Sequence, residues 1–397
     1  MAGGLALVGP FDPHALRDLI PPATWRDDLP GSVGSTVVPA LARAMISRGT
    51  RVTIVSYAPG LDREIIVDAA PLRLCIGPGR LRGRARDFFA VERNYLRSAL
   101  LREQPALIHA HWTYEFALAG QATGLPCLVT AHDAPLTILR HNPSPYRFMR
   151  TLMASAVLRR AEEVIAVSPH VEHHLRRWIG YRGECTVIPN GIEESVFRAA
   201  PIRTRTPPVF ACVINGWGRL KNPTTLLQAF ARLRLEIPQS RLLAIGQDYG
   251  PGGPAAQWAN SHAVADGVDF IGPLPHDLVL ERLRNSVDIL VHPSLEESQG
   301  MVIVEAMAAG LPVIGGIESG AVPWVLDHGA AGLLTDVSSV SALSAAMLAL
   351  ARDPARREAF AARGFQHARD RFGMSAVAER HAKIYDTLCG STWRQPG

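Results

Sequence analysis

Lysine is nearly absent from this chain: only Lys221 and Lys383 occur among 41 basic residues. Cysteine is scarce as well. Its five copies, at positions 75, 127, 185, 212 and 389, include no Cys-x-x-Cys pair, and an odd count without paired spacing argues against a disulfide framework. No stretch of about 18 residues is apolar and charge-free enough to span a bilayer. The opening Met1-Ala2-Gly3-Gly4-Leu5-Ala6-Leu7-Val8 has no basic lead-in, and its apolar run is too short for a secretory signal. The expected location is therefore cytoplasmic, with a peripheral station at the inner face of the cytoplasmic membrane left open. No His, Cys, Asp and Glu cluster has metal-ligand spacing and no Asp-x-Asp occurs, so neither a metal nor another cofactor is expected. No strand-like run leads into a contiguous Gly-x-Gly-x-x-Gly turn, which argues against a nicotinamide dehydrogenase.

What is present points to a large folded chain. Its 397 residues, 47% hydrophobic and 19% charged, are too many for one ordinary core and too apolar for disorder; two domains are expected. The net charge of +5 lies entirely in the first 199 residues. Arginine dominance fits a GC-rich genome, but Arg80, Arg82, Arg84 and Arg86 precede the aromatic pair Phe88-Phe89. Such a basic, partly apolar patch suits either an anionic membrane surface or a solvated loop. Nucleic acid is not an expected partner, because no binding motif accompanies the charge.

Short apolar runs alternate with helical patterns. Strands are expected at Leu5–Val8, Val52–Val55, Leu107–Ala110, Cys127–Thr130, Val164–Val167 and Thr186–Ile188. Val38, Leu41, Ala42 and Met45 mark a helix closed by Arg48-Gly49. After the Pro-rich segment Pro201–Pro208 the rhythm restarts, with strands expected at 209–214, 242–245, 268–271, 289–292, 312–314 and 332–334. The expected class is α/β, two doubly wound Rossmann-like domains lining a cleft at the carboxyl ends of their strands. A final amphipathic helix over Ala376–Leu388 has no strand after it.

The chemistry concentrates in His292-Pro293-Ser294-Leu295-Glu296-Glu297-Ser298-Gln299-Gly300-Met301-Val302-Ile303-Val304-Glu305. Glu305 sits in an apolar run, where an ionised carboxylate needs donors; the paired hydroxyls of a ribose would serve. Glu297 precedes a helix start whose Ser298, Gln299 and Gly300 amides, with those of Met301 and Val302, suit phosphate or sugar oxygens. A capping role for Glu297 and backbone partners for Glu305 are the plain structural alternative.

This segment resembles the Glu-seven residues-Glu signature of retaining glycosyltransferases of family 4, with the GT-B fold. The resemblance implies that Glu297 contacts the donor sugar and Glu305 the nucleotide ribose; the family usually has Phe where Gln299 stands. Asn215-Gly216-Trp217-Gly218-Arg219-Leu220-Lys221-Asn222 is similar to the family loop whose Arg and Lys neutralise the donor diphosphate, a task implied here for Arg219 and Lys221 beside Gly216. Gly31-Ser32-Val33-Gly34-Ser35 resembles the family's Gly-rich loop, which implies a diphosphate contact at Gly34 and acceptor-side positions at Gly31 and Ser35. His111 and His132 end two strands. The resemblance places a His at the second of these beside the reacting sugar, with His111 on the acceptor side. Trp324 stands where the family often has Glu.

The implied organisation is an acceptor-binding domain over 1–199, joined by a C-terminal helix of about 376–397 that crosses back, and a donor-binding domain over 200–375. The implied activity is metal-independent transfer of a sugar from a UDP- or GDP-linked donor, with retention, to a hydroxyl acceptor. A lipid-linked oligosaccharide or other saccharide of the bacterial envelope is the acceptor expected. A nucleotide-sugar epimerase of the same architecture and a catalytically silent nucleotide-sugar binding protein remain alternatives.

Overall fold

The computed structural model describes residues 3–31, 35–198 and 205–394. The chain divides into two compact units, Met1–Gly191 with Met374–Gly397, and Ile192–Gly373. In the first unit, β1 (Leu5–Val8), β2 (Val52–Pro59), β3 (Ile65–Ala69), β4 (Leu72–Gly79), β5 (Leu107–His111), β6 (Cys127–Ala131), β7 (Glu163–Ala166) and β8 (Glu184–Val187) form one sheet in the order β3-β4-β2-β1-β5-β6-β7-β8. Every pairing is parallel except β3 with β4. All four residues of β1 are buried, as a parallel strand with helices over both faces requires. Leu5 sits in register with Val52 on one side and Leu107 on the other.

The second unit repeats the plan with β9 (Val209–Val213), β10 (Arg241–Ile245), β11 (Val268–Gly272), β12 (Ile289–His292), β13 (Val313–Gly316) and β14 (Leu333–Thr335), all parallel, in the order β11-β10-β9-β12-β13-β14. Every strand read from the sequence is present, Val52–Val55 as the first half of a longer one. The pair β3 and β4 adds an antiparallel edge that the sequence reading did not include. Asp68 and Arg73, which pair across that edge, interrupt the unbroken apolar runs that mark the buried strands.

The helix Met374–Cys389 packs in the first unit, where Met374, Val377, Ala378 and Ala382 share a core with Leu5 and Leu41. Tyr385 Oη lies 2.7 Å from His109 Nδ1, and His109 Nε2 lies 2.6 Å from Thr130 Oγ1. One buried imidazole thus ties the last helix to β5 and β6.

The basic run at 80–86 is not one uniform patch, which corrects the simplest reading of it. Arg80 is spent on two carboxylates, Asp87 at 2.8 Å and the fully buried Glu92 at 2.7 Å. Arg84 lies over the Tyr57 and Phe89 rings. Arg82 and Arg86 stay exposed, and the aromatic pair divides, Phe88 outward and Phe89 buried.

The strand order reverses between β1 and β5 in the first sheet and between β9 and β12 in the second. The loops leaving the carboxyl ends of these neighbours diverge, and the crevice they leave is where doubly wound sheets bind ligands. Tyr385→Phe removes the hydroxyl that satisfies His109 Nδ1 and leaves that buried nitrogen orphaned. A loss of about 1–3 kcal/mol from the first unit is expected in equilibrium denaturation; an unchanged midpoint would show that the clasp contributes nothing.

Candidate active site

The reversal between β9 and β12 fixes which residues meet in the second unit. The segment after β9 carries Asn215–Lys221, and β12 ends at His292 and leads into the loop Pro293–Gly300. Lys221 Nζ lies 2.6 Å from Glu297 Oε1, and His292 Nε2 lies 3.1 Å from the same oxygen. Burial by itself would raise the Glu297 carboxyl, but the His292 hydrogen bond and charge together with Lys221 outweigh it and hold the group at about 2. Glu297 is therefore ionised throughout the physiological range.

The backbone around this pair is clamped from several sides. Leu295 N donates to Leu220 O at 2.8 Å, joining the two loops directly. Asn222 adopts φ 52 and donates from Nδ2 to Pro293 O at 3.1 Å and Val337 O at 2.7 Å. Asn tolerates this left-handed conformation better than most residues, and here it adds a side-chain clasp. Gly216, at φ 91, donates to Gln247 O at 3.2 Å, and Trp217 N donates to Asp248 Oδ2 at 2.9 Å. Ala321 N donates to Glu297 O at 2.8 Å, and a Cβ on Gly320 would come within 2.5 Å of that same oxygen. Trp324, in the short helix Val322–Val325, packs on Phe372 and Arg371.

The helix Met301–Ala308 starts from Gly300 at φ 82. Helix geometry leaves the Met301 and Val302 amides without acceptors in the preceding chain. Just before the helix, Gln299 and Gly300 are buried and Ser298 is partly buried. Glu305 lies on the same helix, 7% exposed, and His276 Nε2 meets its Oε1 at 2.8 Å. The Glu305 hydrogen bond raises the His276 pKa against the opposing effect of burial. Arg219 is exposed, one residue from Leu220 in the short turn Arg219–Lys221.

The first unit gathers a different set. His111 Nδ1 lies 2.9 Å from His132 Nε2, and Asn190 also hydrogen-bonds the His132 ring. Burial, reinforced by the neighbouring imidazoles, lowers His111 far below its ordinary value and takes His132 down to about 3, so both are neutral. The Trp112 ring lies 4.2 Å from that of His132. Ser35 Oγ accepts from Val37 N at 3.0 Å at the start of the helix Val37–Ser47, and Gly31 is exposed. Gly34 lies outside the described residues.

Four residues of these sites were given no functional role from the sequence: His276, His292, Asn222 and Asn190. His292 ends a strand beside the reversal, a position that topology marks in advance. Asn222 directly follows Lys221 in the quoted loop. Nothing local marks His276, whose partner is 29 positions away.

Residues 34–196 match the model described as Glycosyltransferase Family 4, and residues 199–367 match Glycosyl transferases group 1. The D-inositol 3-phosphate glycosyltransferase of Thermobispora bispora is 31% identical over 305 residues, 70% of each chain. The N-acetyl-alpha-D-glucosaminyl L-malate synthase of Bacillus anthracis is 25% identical over 302 residues, 72% of this chain and 75% of that one. Among solved structures, the sucrose-phosphate synthase of Thermosynechococcus elongatus superimposes with a TM-score of 0.78 at 21% identity, over 98% of this chain and 99% of that one. Anabaena HepE, solved with UDP and glucose, gives 0.69 at 19% identity, over 98% and 100%. At these identities the solved structures speak for the fold, two Rossmann-like units of the GT-B class.

Because His276 is raised above 6.5 in the folded chain, its bond to Glu305 is fully present below that value and is lost as pH rises through the raised one. His276→Gln should lower the thermal stability of the second unit at about pH 6 and leave it unchanged at about pH 9. The same loss at both pH values would mean that the imidazole charge is irrelevant.

Proposed function

This chain belongs to the glycosyltransferases described by the family 4 and group 1 models, and from that premise we propose that it moves a sugar from a UDP- or GDP-linked donor to a hydroxyl acceptor with retention of configuration. The observation that carries the reading is the Lys221–Glu297 pair at the reversal of the second sheet, beside the open Met301 and Val302 amides of the helix that bears Glu305. An ammonium has three donors, so Lys221 can hold Glu297 and still offer protons to phosphate oxygens. In this reading Arg219 adds a second, exposed cation near the diphosphate, and Glu305 takes the ribose hydroxyls. Glu297, held ionised, accepts hydroxyls of the transferred sugar.

The acceptor oxygen bonds to the anomeric carbon as the bond from that carbon to the terminal phosphate oxygen breaks. The departing phosphate oxygen takes the acceptor proton. Negative charge grows on that phosphate during transfer, and preorganised donors aimed at it, Lys221 and the helix amides, stabilise it most where charge is greatest. These groups supply the stabilisation without a metal in this scheme. His132 and His111, neutral and buried at the ends of β6 and β5, serve as uncharged hydrogen-bonding groups on the sugar and acceptor side. HepE was solved with UDP-glucose, which favours UDP as the first nucleotide to try.

A lipid-linked acceptor in envelope synthesis would bring the chain to the membrane. Leu81, 72% exposed, and Phe88, 43% exposed, stand among the exposed Arg82 and Arg86, a combination suited to an anionic interface. No helix among the described residues is long and apolar enough to cross a membrane.

Thermal-shift screening against UDP-, GDP-, ADP- and dTDP-sugars should single out one nucleotide, with the shift unaffected by EDTA. Glu305→Ala should weaken that binding about tenfold or more, whereas Glu297→Ala should mainly depress turnover. Wild-type behaviour in both variants would overturn the assignment. Arg82→Glu with Arg86→Glu should reduce co-sedimentation with anionic vesicles and spare donor binding; unchanged sedimentation would refute the membrane contact.

A further inference from the structure

The first unit holds a cavity of about 480 Å³ whose wall includes Tyr57, Arg84, Phe89, Trp112, Glu115 and Arg150, within the ordinary size range of small-molecule sites. Its position follows from topology. Tyr57 lies near the carboxyl end of β2, Trp112 directly follows β5, and Pro10, which also borders it, lies just beyond β1. The cavity therefore opens where the order of the first sheet reverses. Phe89 at φ 60 and Trp112 at φ 67 both hold left-handed backbone, which bulky residues seldom adopt. Such backbone persists where the surroundings over-determine it, and here it presents two aromatic rings to one cavity.

The charges in the wall are not equivalent. Arg150 pairs with the buried Glu115, which also accepts from Tyr57 Oη at 3.1 Å, and its guanidinium covers the Tyr114 ring at 3.5 Å. That cation is already balanced. Arg84 is not: its guanidinium makes no hydrogen bond or ion pair among the described residues and rests only on aromatic faces, 5.8 Å from the Tyr57 centroid and 5.7 Å from that of Phe89. Arg150 sits at the same 5.7 Å from the Phe89 ring. Two guanidinium groups thus share one aromatic platform beside a cavity whose wall holds a single carboxylate, Glu115, with five N–H donors of Arg84 unspent. The planar fork of Arg matches carboxylate and phosphate oxygens in pairs. The aromatic walls, including the stacked Tyr57 and Phe116 rings, suit the C–H faces of a ring compound.

We propose that this cavity receives the acceptor and selects a polyhydroxylated molecule carrying a phosphate or carboxylate, its anionic end on Arg84 and its ring against the aromatic walls. The inference rests on the transfer reaction proposed above, and it names the class of acceptor. Trp112 links the cavity to the strand-end histidines, since its ring both lines the wall and lies against His132. The anion can belong to a free sugar or cyclitol phosphate or to the phosphate of a lipid-linked saccharide, and Arg84 recognises the same oxygens in either.

Direct titration of the full chain, without donor, tests this. The probes are two matched pairs, inositol with inositol 1-phosphate and glucose with glucose 6-phosphate, and a polyprenyl-diphosphate-linked sugar in detergent against detergent alone. At least one phosphorylated probe should bind about tenfold or more tightly than its neutral counterpart. Arg84→Gln should shrink that advantage to about threefold or less, while Arg82→Gln, at an exposed neighbour, should preserve it. An advantage confined to the lipid probe would identify a lipid-borne anion, and one confined to the free phosphates a soluble acceptor. Equal binding of neutral and anionic probes, no binding by any of them, or an advantage that survives Arg84→Gln would overturn the proposal. UDP is titrated in parallel: its failure to bind the wild-type chain would overturn the donor site and not the cavity, because the acceptor titration needs no donor.

Discussion

An ionised carboxylate withdrawn from water must be met by positive charge and hydrogen-bond donors, or it takes up a proton. The second unit is arranged around that requirement at Glu297. Lys221 and His292 both reach one carboxylate oxygen, and they do so because β9 and β12 are neighbours at the reversal of the sheet. The clamps on the two loops follow from the same need. Asn222, Ala321 and the Leu295–Leu220 hydrogen bond hold backbone that would otherwise let the ions separate. Glu305 repeats the arrangement in a milder form, with one half-exposed histidine as its partner.

The first unit meets the same problem of buried polar groups with neutral chemistry. His109, His111, His132 and His381 are all buried, and burial lowers every one of them, so they bond as uncharged imidazoles: His109 to Tyr385 and Thr130, His111 to His132, His132 to Asn190, and His381 to the Val377 carbonyl. This layer joins the ends of β5 and β6 to the helix Met374–Cys389 without placing a charge in the core. Buried charge in this unit is paired instead, Glu92 with Arg80 and Glu115 with Arg150. The two units thus treat buried polar groups differently, with an ion pair at Glu297 and uncharged imidazoles at His111 and His132.

The local pattern of residues was enough to reveal the α/β class, the strands of both sheets and the amphipathic last helix, because buried parallel strands and helices impose short-range periodicities that need no partner to be seen. It was also enough to single out Glu297 and Glu305, since a loop, a helix start and a carboxylate one turn further on are neighbours along the chain, whereas Lys221 was marked by the resemblance of its loop to that of the family. The edge pair β3 and β4 was harder to read, because Asp68 and Arg73 satisfy each other across strands and look polar when read alone.

Which charges are free and which are spent was decided only by the tertiary structure. Arg80 and Arg84 are four residues apart in one basic run, yet one is consumed by the buried Glu92 and the other faces a cavity. His276 finds Glu305, Glu115 finds Arg150, and Tyr385 finds His109 from 276 residues away. The sequence by itself therefore determined the elements and the chemical types available at their ends. The pairing of those types depends on strand order, and strand order is a property of how the whole sheet closes, which no window of sequence contains.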